Sequence, residues 1–356
     1  MKVDVEVLRA RLRAPFVSSS GSLSDRELVL VRLEDSDGWV GLGESAPLPD
    51  YHGVNVGDVL ETLGACRDVL ASAPPGTSPR EALAQWRAMA VLPAAAAIDM
   101  ALWDLEGRRT GQPVWRLLGA RDTEPVEVNY TIAASDRAGA AAQASEARLA
   151  GFRTVKAKVG IGDDAGRLAA VRAVLGPGVA IRLDANGAWS IAEAEAALSA
   201  FAPIGIELCE EPVRGLAQTR ELAAATSVPL ALDETAAAIG ALDQQVCDAV
   251  CLKVASSGGI TGLIDAARRA RAAGYDVYLA STLDGPLGIA AALHAAAVIR
   301  PRRACGLATL ALFADREDPL PARDGRIDVP PGAGLGDGFA SWYRAGPPPD
   351  RRLTAA

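Results

Sequence analysis

Thr154-Val-Lys-Ala-Lys-Val159, Ala180-Ile-Arg-Leu-Asp-Ala-Asn186, Gly205-Ile-Glu-Leu-Cys-Glu-Glu-Pro212, Pro229-Leu-Ala-Leu-Asp-Glu234 and Ala249-Val-Cys-Leu-Lys253 are short apolar runs, each carrying charge at or near its end. Ala-, Leu- and Arg-rich segments long enough for one helix separate them. Strand-like runs alternating with helical ones specify βα units and a parallel sheet. Charge at the C-terminal end of run after run specifies convergence on one rim, which is where (β/α) barrels build their active sites. Strand candidates at 126–131, 277–281 and 303–307 join those at 153–159, 179–184, 205–210, 228–233 and 248–253. That makes the eight a barrel needs.

Ahead of the barrel, the stretches 3–8, 27–33 and 39–44 read as an antiparallel meander, with a turn at Ser36-Asp-Gly38. Residues 56–119 have a helical pattern. Between the first two strands, 15–24 is small, polar and glycine-containing, so it is expected to be a mobile loop. It either only connects the strands or serves as a lid that shapes a pocket. Beyond 308 the chain is rich in Pro, Gly and Asp, cannot add another βα unit, and is expected to pack back on the N-terminal part, with its last ten residues frayed. The expected architecture is α/β: a modified (β/α)8 TIM-type barrel over 126–308, an α+β capping domain over 1–125, and a segment 309–356 that completes the cap.

Composition excludes some partners. Lys plus Arg number 36 against 44 Asp plus Glu, a net charge of -8, which argues against nucleic acid or an anionic membrane as the main partner. No apolar run approaches the ~18 residues of a membrane span. The N-terminus alternates like a strand and lacks a signal-peptide core. The five cysteines form no CxxC pair and have no histidine nearby to complete a zinc set. Buried reduced thiols in a cytoplasmic protein are the expectation.

The chemistry lies in carboxylates and lysines. A single strand-end aspartate is commonly a helix cap, but Asp184, Glu210 and Asp233 end successive runs. Three carboxylates at one point repel strongly, and a divalent cation resolves this. Oxygen ligands without His or Cys indicate Mg2+, with Mn2+ as a substitute. Lys156 and Lys158 differ by two and so share one side of a strand. One buried ammonium, and burial itself, should lower the proton affinity of the other, which suits a base near neutral pH. Lys253 should stand across the barrel from them. A carboxylate substrate on the cation would have a lysine on either face, an arrangement for removing the proton next to the carboxylate and placing the charge of the resulting enediolate on the metal.

The chain resembles the enolase superfamily, in its muconate-lactonizing-enzyme subgroup, over nearly its whole length. The resemblance is carried by Ile98-Asp-Met-Ala-Leu-Trp-Asp-Leu105, Lys156-Ala-Lys158, Asp184-Ala-Asn-Gly-Ala-Trp189, Glu210-Glu-Pro212, Asp233-Glu234, and Lys253 followed by Gly258-Gly259. It implies that Asp184, Glu210 and Asp233 hold magnesium and that Lys158 is the base, with Lys156 its electrostatic partner. It further implies that Lys253 is the second acid/base or a cation facing the intermediate, and that Asn186 supports the metal and its water. The mandelate racemase branch uses a histidine base. This chain has only His52 and His294, neither at a strand end, and His294 sits in a helix interior.

The substrate is expected to be a small carboxylic acid. Phe16, Ser20 and His52 on the capping loops, and Ser281 and Asp284 after the seventh strand, are its candidate contacts. Asp284 could alternatively pair with Lys253 or cap a helix. Cys305-Gly-Leu-Ala-Thr-Leu-Ala-Leu-Phe313 resembles the last strand of o-succinylbenzoate synthases. No Asp-x-Asp pair stands there to hold a substrate amine, as in many dipeptide epimerases. o-Succinylbenzoate synthase is therefore the favoured reading. The alternatives are an N-acylamino acid or dipeptide racemase/epimerase, a muconate-type cycloisomerase and, from another class, a non-catalytic barrel that binds a small acid. Assembly into a homo-oligomer is open.

Overall fold

A computed structural model describes residues 1–19, 21–74, 77–133, 136–345 and 351–353. Seven strands form one parallel sheet in chain order: Tyr130–Ile132, Thr154–Lys158, Ala180–Asp184, Ile206–Glu210, Leu230–Leu232, Ala249–Leu252 and Asp276–Leu279. The eighth position is filled by parallel bridges rather than a full strand: Gly306 pairs with Ala280 and Cys305 with Val128. Gly306 N donates to Leu279 O at 2.7 Å, Ser281 N to Gly306 O at 3.1 Å, and Asn129 N to Cys305 O at 3.0 Å. These bonds join the seventh strand to the first and close the barrel, so neither edge is left unpaired.

The first strand departs from expectation. It begins at Tyr130, whereas Val126–Glu127 pairs antiparallel with Arg326–Ile327 from the C-terminal segment. With only two residues at the eighth position, the backbone before Val128 has little parallel partner, and the returning chain supplies one.

The N-terminal sheet is antiparallel, in the order Arg351–Leu353, Lys2–Ser18, Gly21–Glu34, Val40–Ser45. Its period-2 pattern serves two cores. Val3, Val5 and Val7 pack with Val59, Leu63 and Ile98 of the helices, while Leu8, Ala10 and Leu12 join the core that continues into the barrel. Helix Leu92–Thr110 lies against Val40–Ser45 so closely that a Cβ on Gly41 or Gly43 would overlap the carbonyls of Ala101 and Ala97. Asp99 and Asp104 on this helix are structural. Asp99 accepts from Thr261 N at 3.0 Å and from Arg87 at 2.9 Å, and Asp104 from Leu42 N and Leu335 N, each at 2.8 Å. His294 is fully buried, with Nδ1 accepting from Trp115 N at 3.1 Å. Burial pushes its pKa down to about 4, so the ring is neutral.

Two expectations need correction. The stretch 15–24 is not a loose loop: the first two strands run on as a long hairpin, pairing Phe16 with Leu23, Val17 with Ser22 and Ser18 with Gly21. A register shift between Arg11 and Phe16 lets the arm bend, and Ser19 Oγ donates to Ala185 O at 2.7 Å, resting its tip on the barrel rim. The chain end is not wholly frayed either, since Arg351–Leu353 adds an edge strand opposite Val5–Val7. All five cysteines are buried and unpaired. Among the described residues, no helix is long and apolar enough to cross a membrane.

Candidate active site

The C-terminal ends of the barrel strands carry the predicted charges into one cavity, roofed by the hairpin arm and by the capping helix Pro49–His52. Phe16, Lys156, Lys158, Asp184, Asn186, Asp233, Lys253 and Ser281 all line it. Glu210 lies just beneath, fully buried. Parallel register brings these groups together: Lys158 pairs with Asp184, and Asp184 with Glu210.

Lys156 Nζ stands 2.7 Å from Asp184 Oδ2 and 2.6 Å from Glu210 Oε1. Lys158 Nζ donates to the same Asp184 oxygen at 2.6 Å and to Asn186 Oδ1 at 2.8 Å, with its ammonium 5.6 Å from the centre of the Phe16 ring. Asn186 holds a left-handed φ of 48°. This conformation turns its backbone N–H to Asp184 Oδ1 at 3.0 Å and its side-chain amide to Glu234 Oε1 at 2.9 Å. Asn186 is thus the fixed acceptor that aims Lys158. Across the barrel, Lys253 Nζ pairs with Asp233 Oδ1 and donates to Tyr51 OH at 2.8 Å; the Tyr51 hydroxyl in turn donates to Asp233 Oδ1 at 2.6 Å.

The electrostatics follow from these neighbours. Burial alone would lower the Lys156 proton affinity, but Asp184 and Glu210 outweigh it and hold the ammonium above its ordinary value. The depression expected from a second ammonium nearby does not occur for this lysine, because two carboxylates touch it. Lys253 is raised likewise, with Asp233 outweighing burial. Burial pushes Asp184 up, yet Lys156 and Lys158 together hold it well below the usual carboxylate range. Glu210 goes the other way. Burial, with Asp184 and Asp233 beside it, raises it beyond what Lys156 can offset.

The donor set suits a hard divalent cation. Glu210, Asp233 and Cys251 bring ligand atoms within 4.8 Å of one another, and Asp184 reaches Glu210 through the shared Lys156 ammonium. Burial and the same carboxylates push the Cys251 thiol far above its usual pKa. The carboxylate oxygens are the hard donors that such a cation takes. Glu234 Oε2, beside this cluster, is buried with no hydrogen-bond partner among the described residues.

Three residues that hold this arrangement are absent from the sequence-based site. Tyr51 comes from the cap. Tyr278 donates to Glu210 Oε2 at 2.7 Å. Glu211, at a left-handed φ of 41°, turns away from Glu210 and accepts from Asp233 N at 2.7 Å and Thr235 N at 3.1 Å, bracing the loop that carries Asp233. Burial first, then Glu234, pushes the Glu211 carboxyl up to about 8. Period-2 counting from Ala280 would have turned Tyr278 inward; nothing local marks the other two.

Of the other expected contacts, Ser281 lines the cavity. Ser20 and the His52 side chain lie outside the described residues. Ser281 Oγ is shared with Thr309 Oγ1 at 2.8 Å. Asp284 does not reach the cavity and is not hydrogen-bonded to Lys253. It is buried behind the loop, accepting from Thr282 Oγ1 at 2.7 Å, because the left-handed Leu283 (φ 59°) turns the chain between them.

Glu44 of the capping sheet lies close by, accepting from Gly285 N at 2.7 Å and from the Tyr343 hydroxyl. Burial and Asp284 push its pKa from 4.5 up to about 8. The unfolded chain ionises this group near 4.5, whereas the folded chain keeps its proton to about 8. Its contribution to stability is therefore full below 4.5 and is lost as pH rises through 8. Thermal unfolding should show Tm falling by several degrees between pH 5 and 8.5, and Glu44→Gln should lessen that fall. An identical pH dependence in the variant would contradict this assignment.

Comparison with known proteins agrees with the geometry. Residues 2–119 match the mandelate racemase / muconate lactonizing enzyme N-terminal domain, and residues 139–339 match the enolase C-terminal domain-like family. The chain belongs to the mandelate racemase / muconate lactonizing enzyme family. It is thus an enolase-superfamily enzyme with a modified TIM barrel. It is 32% identical to the L-Ala-D/L-Glu epimerase of Bacillus subtilis over 83% of this chain and 84% of that protein. It is 37% identical to the o-succinylbenzoate synthase of Mycobacterium bovis, over 64% of this chain and 67% of that one. The dipeptide epimerase of Cytophaga hutchinsonii, solved with Mg and the dipeptide D-Ala-L-Val, superposes with a TM-score of 0.83 at 27% identity, covering 95% of this chain and 96% of that one. The epimerase matches cover more of the chain than the synthase match does, which reverses the preference drawn from the last strand.

Proposed function

We propose that the protein is a magnesium-dependent racemase or epimerase acting at the α-carbon of an amino-acid-derived carboxylate. The observation that carries this reading is the placement of Lys158 and Lys253 on one cavity, from strands separated by three others. Lys158, aimed by Asn186, takes the α-proton from one face. Lys253, seated between Asp233 and Tyr51, delivers a proton to the other. Asp184, Glu210 and Asp233 are the residues that would hold Mg2+. When bound, the ion supplies positive charge to the substrate carboxylate. Lys156 keeps Asp184 and Glu210 together, and Phe16 on the hairpin arm shields Lys158 from water. In this reading, residues 1–125 and 309–356 form the cap and 126–308 the catalytic barrel. The five buried, unpaired thiols support a cytoplasmic setting.

The wall beyond the lysines is made by Ala280, Ser281, Leu283, Gly306 and Thr309 and carries no charge. An uncharged acyl end suits it better than an ammonium, which favours N-acylamino acids over dipeptides with a free amine. Chiral chromatography of N-acylamino acids and dipeptides incubated with protein and Mg2+ tests the reading, and loss of optical purity is the expected result. The similarity to the Mycobacterium bovis enzyme supports a second reading, o-succinylbenzoate synthase. An aromatic absorbance from the synthase substrate, with no racemisation of any amino acid derivative, would favour it.

A further inference from the structure

Below the rim, the barrel interior holds a polar column where branched apolar layers are usual. Tyr278, on strand Asp276–Leu279, is 1% exposed, and its hydroxyl donates to Glu210 Oε2 at 2.7 Å. The Arg182 guanidinium lies 4.4 Å from the centre of the Tyr278 ring. Arg182 is itself fully buried and held by Ala304 O at 3.0 Å and by the Glu207 oxygens at 3.2 and 3.3 Å. Arg303 fixes Glu207 in turn at 2.9 Å, and Asp276 at 2.7 Å.

The ring therefore has no room to swing, and a buried phenol needs an acceptor. Glu210 has different partners on its two oxygens, Lys156 on Oε1 at 2.6 Å and Tyr278 on Oε2.

We propose that Tyr278 is a positioning residue of the cation site, clamped from below by Arg182 and fixing the Glu210 carboxylate that the cation requires. The inference rests on the assignment of Glu210 as a ligand. Groups that fix a metal-binding carboxylate typically contribute about 10–100-fold to metal affinity when removed.

The test uses the full chain, stripped of metal by chelation, titrated with Mn2+ and read by the EPR signal of the free ion. Wild type, Tyr278→Phe, Tyr278→Met and Glu210→Gln are compared, with Tm measured on each without metal. Tyr278→Phe should keep its Tm within a few degrees and bind Mn2+ about 10–100-fold more weakly. Glu210→Gln should lose more. Tyr278→Met also removes the donor while filling the space, and it carries the test should Tyr278→Phe fail to fold. An unchanged Mn2+ Kd in a folded Tyr278 variant, with Glu210→Gln impaired, overturns the inference alone. Wild-type protein that binds no Mn2+, or Glu210→Gln that binds as wild type, overturns the ligand assignment beneath it.

Discussion

Lys253→Ala is expected to abolish interconversion of enantiomers, by about 10²–10⁴-fold, while sparing α-proton exchange in the enantiomer whose hydrogen faces Lys158. The expectation comes from the seat of Lys253. Its ammonium has one carboxylate, Asp233, and one hydroxyl, Tyr51, and lies on the opposite side of the cavity from Lys158. The Tyr51 phenol beside it is held far above its ordinary pKa by burial and by the Asp233 charge, which makes it a poor proton carrier at neutral pH. Proton NMR in D2O, run separately on each enantiomer, reads exchange, and chiral chromatography reads interconversion. Racemisation at the wild-type rate would remove Lys253 from the chemistry.

Lys158→Ala should give the mirror pattern. Interconversion falls by a similar 10²–10⁴-fold, and the exchange that survives belongs to the other enantiomer, through Lys253. Loss of fold is not the expected cause. Asp184 keeps the Lys156 ammonium at 2.7 Å and the Asn186 N–H at 3.0 Å, so it does not become the uncompensated buried charge that costs several kcal/mol. Tm should therefore move little. Should both single variants lose exchange with the same enantiomer, one lysine would be the base and the other only a positive charge, which fits a dehydration better than a racemisation.

Much of this was readable in the sequence because it depends on strand period. The runs ending in Asp184, Glu210, Asp233 and Lys253 each place a charge where a parallel strand leaves its sheet, and register then brings those ends together. Lys156 and Lys158 share a face for the same reason. What was not readable depends on turns and distant chain. Asp284 looked like a rim residue until the left-handed Leu283 turned it inward. The Pro15–Ser24 composition reads as loop, yet pairing across the hairpin satisfies its backbone as strand. Tyr51 lies 182 residues before Asp233 and reaches it only because the cap folds over the barrel. The last strand pointed to the synthase whereas the relatives favour the epimerase reading, and a short small-residue segment at the closure point serves barrel geometry as much as it serves substrate.

The central claim is that two lysines flank an α-carbon held over three carboxylates. The measurement that tests it most directly is deuterium incorporation by the wild-type protein in D2O, with each enantiomer of a panel of N-acylamino acids, with and without Mg2+. The account predicts Mg2+-dependent α-deuteration of both enantiomers of an active substrate. Substrate binding with no deuteration of either, at any Mg2+ concentration, would contradict it and leave a barrel that only binds small acids.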